Sequence, residues 1–228
     1  MIAVVVPAHN EADCLAGCMV SLQIAASSGA LHGEEVKIFV CADACTDHTE
    51  CIAAQWGAVV VRLAARNVGA ARALGAQVAL QGGARWLAFT DADSVVSPHW
   101  LADQLSLDAD AVCGTVFVDD WGSYSSSMRA HYAATYTDAD HHRHIHGANL
   151  GVSAEAYRRS GGFLPLISSE DVALVNALQA CGAHIAWSAK PRVSTSARRD
   201  FRAPDGFGAT LLRVDQVAAQ RVCATLDE

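Results

Sequence analysis

An α/β fold, with a mostly parallel central sheet flanked by helices, is what this sequence predicts, on three observations. Short β-rich runs alternate with helical patterns four times before residue 100, the rhythm of a doubly wound arrangement of parallel βαβ units with right-handed crossovers. The runs at 2–6 and 86–89 hold no charge, as strands covered on both faces do. With 52% hydrophobic residues in 228, the chain can bury one sizeable core, so a single domain spanning 1–228 is expected.

Residues 2–6 form the first strand, and Pro7-Ala8-His9-Asn10-Glu11 leads into a helix that reaches about Ala26 before Ser27-Ser28-Gly29 stops it. A second strand over 36–41 closes on Ala42-Asp43-Ala44-Cys45-Thr46-Asp47, and the helix after it ends at Gly57. The third strand, 58–61, precedes Asn67-Val68-Gly69 and an alanine-rich helix over 70–80 that ends at Gly82-Gly83. The fourth runs from Trp86 into Thr90-Asp91-Ala92-Asp93. Strand side chains alternate with period two, so Asp91 and Asp93 point the same way, and the carboxyl ends of strands are where open α/β sheets collect ligands. Two hard carboxylates there suit Mg²⁺ or Mn²⁺, with waters and substrate phosphates completing the shell. A polar turn capping a helix near Pro98 is the plainer alternative.

The second half is less regular. A helix over 98–107, a strand over 111–118 and a polar loop over 119–127 precede Met128, Tyr132 and Tyr136, which have helical spacing. Trp121, Tyr132 and Tyr136 suit either stacking on a sugar ring or core packing. Four histidines crowd residues 141–146 and read as a flexible loop with His146 facing the cleft. Ser169-Glu170-Asp171 opens a helix with an apolar face of Leu174, Leu178 and Cys181, and a last strand covers 183–187. A basic loop with Arg192, Arg198 and Arg199 follows, then an amphipathic helix over about 207–223. That helix could dock a membrane, pair two subunits or cover its own core.

Composition removes several classes of function. A formal net charge of −8 argues against a nucleic-acid surface, and any anionic substrate must be met by local cations or a metal. No run approaches a membrane span, and residues 1–7 do not make a signal peptide, so the cytoplasm is the expected location, with the eight cysteines as thiols. Cys14/Cys18 and Cys41/Cys45 share a three-residue spacing, but Cys18 falls on an apolar helix face and Cys41 on a strand, which favours core packing over zinc.

The rim of strand ends carries neither the glycine pattern of a dinucleotide site nor a P-loop. Its motifs resemble those of the family 2 glycosyltransferases of the GT-A fold over nearly the whole chain. Residues 7–11 match a Pro-x-x-Asn-Glu opening, and 42–47 resemble Asp-Asp-Gly-Ser-Thr-Asp with three substitutions. Asn67-Val68-Gly69 with Ala71-Arg72 is similar to an Asn-x-Gly…Ala-Arg-Asn segment, and Asp91-Ala92-Asp93 to the Asp-x-Asp motif. Gly147-Ala148-Asn149 with Gly161-Gly162-Phe163 resembles the acceptor-side segment, and Glu170-Asp171 the motif that bears the catalytic base.

The resemblance implies a nucleotide-binding half over 1–95 and an acceptor-side half over 96–228. Pro7, Ala8, His9, Glu11 and Arg72 would line the nucleoside pocket, Asp43 would accept from the base, Asp91 would stand near the ribose and Asp93 would hold the metal. Arg198 and Arg199 would close over the diphosphate. His146, Gly147, Asn149 and Glu170 would face the acceptor, and Asp171 would take its proton. Two departures stand out: Ala42 replaces an aspartate, and only hydroxyls surround Val193-Ser194-Thr195-Ser196 where a metal-binding histidine is often found. The implied activity is inverting transfer of a sugar from a nucleotide-diphosphate donor to an unidentified acceptor hydroxyl. The absence of the Gln-x-x-Arg-Trp motif points to single transfer rather than polymerisation. The alternatives are a nucleotide-sugar or glycan-binding protein without turnover, and a sugar nucleotidyltransferase, whose basic glycine-rich loop is missing here.

Overall fold

The computed structural model describes residues 1–198 together with Leu211, Leu212 and Asp215. Arg199 and nearly all of the helix expected over 207–223 lie outside the described residues. The first half follows the expected rhythm: β1 (Ile2–Ala8), α1 (Ala12–Ala26), β2 (Val36–Asp43), α2 (Thr49–Gln55), β3 (Val59–Leu63), α3 (Val68–Gln81) and β4 (Trp86–Phe89). The second contains β5 (Val95–Val96), α4 (Trp100–Leu105), β6 (Ala111–Phe117), α5 (Ser126–Thr135), β7 (Leu150–Ser153), α6 (Ala154–Ser160), α7 (Glu170–Ala180) and β8 (Ile185–Ser194). All eight strands join one sheet in the order β3-β2-β1-β4-β7-β6-β8-β5.

Period-two alternation sorts the sheet's two faces. Ile2, Val4 and Val6 of β1, with Trp86 and Ala88 of β4, pack under α1 and α4 against Leu15, Met19, Leu22, Trp100 and Leu101. Ala3 and Val5, with Leu87 and Phe89, pack on the other side against Ala76 of α3, Tyr157 of α6 and Leu174 and Leu178 of α7. Cys18 belongs to the first cluster and Cys41 to the second, so the sheet separates these two buried thiols. Gly75 of α3 lets that helix sit directly on Val5 and Cys41, where a Cβ would collide with both.

Pairing is parallel among β1, β2, β3 and β4, as expected. The second half is mixed: β7 runs antiparallel to both β4 and β6, β8 lies parallel to β6, and β5 closes the edge antiparallel to β8. Because β7 lies between β4 and β6, the two sequence halves share a single sheet. The final strand is longer than the expected 183–187. After a register shift at Gly114/Thr115 it continues through Arg192 to Ser194, so Arg192 belongs to a strand rather than a basic loop. Its guanidinium lies 5.2 Å from the Phe117 ring centroid and its Nη1 lies 2.8 Å from Asp138 Oδ1.

The sheet order reverses between β1 and β4. Their carboxyl-end loops therefore lie side by side at a topological switch point, where open α/β sheets leave a crevice.

Candidate functional site

The loops after β1, β2 and β3 are tied to one another by polar contacts. Asp43 is almost fully buried. Its Oδ1 accepts from the backbone N–H groups of Ala65 and Arg66 at 2.7 and 2.8 Å, and its Oδ2 from Asn67 N at 2.7 Å. Much of the capacity expected to face a base is therefore spent on holding the 65–67 loop. His9 Nδ1 lies 2.6 Å from the Asp43 carbonyl oxygen. Asp47, which the sequence reading left without a role, caps two helices: Oδ2 accepts from Ala12 N at 3.0 Å and Oδ1 from Thr49 N at 2.9 Å. The Cys45 thiol donates to the Ala8 carbonyl at 3.4 Å. Ala42 is buried within β2 and offers no polar contact to a ligand.

Beyond β4, Asp91, Ala92 and Asp93 line a cleft of about 750 Å³ with Pro7, Ala8, His9, Glu11 and Asp43. Burial, with the neighbouring Asp91 carboxylate, pushes Asp93 up to about 6. Arg198 partly offsets this: its Nε lies 3.2 Å from Asp93 Oδ2, while its two terminal nitrogens donate to the Glu11 carboxylate, each at 2.6 Å. Arg198 lines the cleft, with its charge taken up by two carboxylates.

Arg72 lines the cleft beside these residues. Its guanidinium is only 4% exposed and is clamped between carboxylates, 2.5 Å from Asp91 Oδ1 and hydrogen-bonded to Glu170. Glu170 is correspondingly buried; it lines the cleft and serves as the counter-ion of Arg72. Arg72 thus joins the end of β4 to the start of α7, and Gly147 packs so closely on its guanidinium that a Cβ there would overlap it.

Asp171 lines the same cleft as Asp93. Its Oδ2 accepts from Gly147 N and its Oδ1 from Val172 N, both at 2.8 Å. Ser169 precedes it with φ 59°, a left-handed conformation, and makes no side-chain cap. Asn10, Ala44 and Arg66 are also left-handed. Such backbone outliers concentrate at functional sites, and here Arg66 and Ser169 themselves line the cleft.

Asn149, expected to face the acceptor, does not. It is fully buried, donates Nδ2 to the Thr115 and Pro191 carbonyls at 2.7 and 2.9 Å, and accepts from Trp100 Nε1 at 2.9 Å. It clamps β6 to β8 where their register breaks.

The histidine patch is pinned rather than free. His141 N donates to the Trp187 carbonyl at 2.7 Å, His142 Nδ1 accepts from His144 N at 3.0 Å, and His144 Nε2 accepts from Thr137 N at 3.1 Å. His146 lines the cleft, with Nε2 3.0 Å from the Tyr136 hydroxyl, and burial pushes it down to about 3. Tyr136 and Tyr132 also serve β6: the first hydroxyl accepts from Val116 N at 2.9 Å, the second donates to Val116 O at 3.2 Å. Tyr132, Tyr136 and His144 form one continuous stack along the cleft wall. The helical spacing of Met128, Tyr132 and Tyr136 was the signal for the two tyrosines, and nothing in the spacing marked His144.

A sheet of this order with an acidic rim at the β1/β4 switch is the architecture of the GT-A glycosyltransferases. The chain belongs to glycosyl transferase family 2, whose model matches residues 3–161. Solved structures of similar fold include S. aureus TarS 1-349 in complex with UDP-GlcNAc, at TM-score 0.68 and 14% identity, covering 95% of this chain and 66% of that one. The mannosyltransferase PcManGT from Pyrobaculum calidifontis, in complex with GDP-Man and Mn²⁺, matches at TM-score 0.63 and 17% identity, covering 98% and 75%. Glucosyl-3-phosphoglycerate synthase from Mycobacterium tuberculosis, with Mn²⁺, UDP and glucosyl-3-phosphoglycerate, matches at 0.57 and 17%, covering 87% and 72%. The chain thus spans just under two thirds of the TarS 1-349 length. No curated protein sequence matches it. Among the described residues, no helix is long and apolar enough to cross a membrane.

Proposed function

We propose that this protein transfers a glycosyl group from a nucleoside-diphosphate sugar to an acceptor hydroxyl, with inversion at the anomeric carbon. The observation that carries this reading is that Asp93 and Asp171, remote in sequence, line one cleft. Pro7, Ala8 and His9 receive the nucleoside. Asp43 Oδ2, which accepts a single backbone N–H, retains a lone pair for the base. The neighbouring Arg198 guanidinium meets the diphosphate.

The donor set fits Mg²⁺ or Mn²⁺. Asp93 and Asp91 present hard oxygens to the cleft, and Arg198 only partly offsets the burial of the Asp93 carboxylate. Among the described residues no cluster of three or more potential ligands forms, which matches ions held by one or two carboxylates plus substrate phosphates. When bound, such an ion stabilises negative charge on the departing diphosphate. Asp171, steadied by the Gly147 N–H, takes the acceptor's proton as its oxygen attacks the anomeric carbon. The bond to the β-phosphate oxygen breaks and its electron pair leaves with the diphosphate.

Solved relatives hold UDP-GlcNAc, or GDP-Man with Mn²⁺, so UDP- and GDP-sugars form the natural panel. Nucleoside diphosphate release, followed with Mn²⁺ and with chelator, is expected from at least one donor and should cease on chelation. Binding of a donor without release from any of them would leave a nucleotide-sugar binding protein.

A further inference from the structure

The acceptor half of the cleft differs chemically from the donor half. Its inner wall is formed by Val116, Met128, Tyr132, Tyr136, Ile145 and Ala148. Among the described residues, the only lysine or arginine side chains lining the whole cleft are Arg66, Arg72 and Arg198. Arg72 is held by Asp91 and Glu170, Arg198 by Glu11 and Asp93, and Arg66 sits on the donor side beside Asp43. His144 and His146 are both lowered by burial and are neutral near pH 7. Among the described residues, an anionic acceptor would therefore meet no lysine or arginine there that is not already held between carboxylates, and His131 is the exposed imidazole on that wall.

The apolar wall continues outward. Of nine exposed large hydrophobic residues among those described, four fall within nine positions beside the candidate base: Leu164, Leu166, Ile167 and Val172. Ile167 is 63% exposed and, with Val172, lines the cleft mouth. The segment is fixed by its backbone. Leu166 O accepts from Gly69 N at 3.2 Å, Pro165 O accepts from Asn67 Nδ2 at 2.9 Å, and a Cβ at Gly69 would strike the 164–166 backbone. Outward presentation of these side chains is therefore built into the loop, and a solvated apolar rim continuous with an apolar cleft marks a binding surface.

We propose that the acceptor is an uncharged alcohol with an alkyl, prenyl or aryl body. Its hydroxyl reaches Asp171 while the body lies on the apolar wall and passes out over Leu164, Leu166, Ile167 and Val172. The inference rests on the glycosyl-transfer reading for the role of Asp171, and its test is a binding measurement that needs no turnover.

Methyl β-D-glucoside and octyl β-D-glucoside are titrated calorimetrically into the full chain with UDP and Mn²⁺, below the detergent's micelle concentration. The octyl compound should bind more tightly, by about tenfold for every two methylenes buried. The double variant Ile167→Ser/Val172→Ser should bring it close to the methyl compound while UDP affinity, titrated separately, is retained. Equal or undetectable affinity for the two glucosides overturns the proposal and gives the rim another occupant, such as the chain's own C-terminal residues. Tighter binding of glucose 6-phosphate than of methyl glucoside also overturns it. An octyl preference without binding of UDP or GDP would instead refute the donor reading alone. Sedimentation with phosphatidylcholine vesicles containing diacylglycerol would mark a bilayer-borne acceptor, and octyl binding without sedimentation a soluble one.

Discussion

The donor half of the cleft is built on the ends of parallel strands and carries carboxylates and guanidinium groups, whereas the acceptor half is built on α5, the loop before β7 and the start of α7, and is walled by aromatic and apolar side chains. Charge can be held close together in the first because each group has a partner: Glu11 and Asp93 share Arg198, while Asp91 shares Arg72 with Glu170. In the second, burial favours the neutral form of His144 and His146. In the proposed reaction the first half would receive the polyanionic donor and the second a neutral acceptor, with Arg72 as the strut between them.

Breaking that strut should have the largest effect on stability. Arg72→Met leaves Asp91 and the buried Glu170 without their cation, and stranding one partner of a buried pair costs about 3–5 kcal/mol. The urea midpoint should fall accordingly, and adding Glu170→Gln should recover much of the loss. Full loss in the double variant would show that Arg72 acts through packing on Gly147 alone.

The two halves should also answer pH in opposite senses. Asp93 is raised to about 6, so its stabilising contribution is complete below the ordinary carboxylate range and is lost as pH rises through about 6. At pH 7 the metal-free Asp93→Asn variant should be more stable than the native chain by about 1–3 kcal/mol. His146 is lowered to about 3 from 6.5, so its contribution is complete above about 6.5 and drains away as pH falls toward 3. His146→Gln should flatten the acid limb of the stability profile by up to about 1.4 kcal/mol per pH unit. Identical profiles for native and variant chains would contradict the buried placement of His146.

The smallest effect concerns the donor-side loops. Ala44, with φ 52°, stands where the motif it resembles has glycine, and a left-handed alanine is strained by about 1 kcal/mol. Ala44→Gly should therefore raise stability by up to about 1 kcal/mol, less the greater entropy of an unfolded glycine, as read from the thermal midpoint. A lower midpoint would show that the Ala44 methyl group packs usefully.

This contrast also separates what could be read from sequence. Residues 1–93 were legible because they form successive βα units, with β1, β2 and β3 paired in chain order, so periodicity, glycine stops and loop motifs all report the same structure. Beyond them, β7 inserts between β4 and β6, a pairing that no local pattern encodes. Helix α6 went unread because its seven residues bury only Ala154, Ala156 and Tyr157, although its Ser153 cap and the left-handed Gly161 were visible signals. Side-chain roles were least legible where polar residues serve the structure: Asn149 clamps two strands and Arg72 neutralises two carboxylates. Neither role follows from a motif, because each depends on partners that only the folded sheet brings near.

The division of labour across the cleft is tested most directly by measuring nucleoside diphosphate affinity in the presence of Mn²⁺, together with transfer rate, in Asp93→Asn and Asp171→Asn. The account predicts that Asp171→Asn keeps nucleotide affinity within about twofold while transfer falls by about 10²–10⁴, and that Asp93→Asn loses both. Equal loss of nucleotide affinity in the two variants, or full transfer by Asp171→Asn, would contradict it.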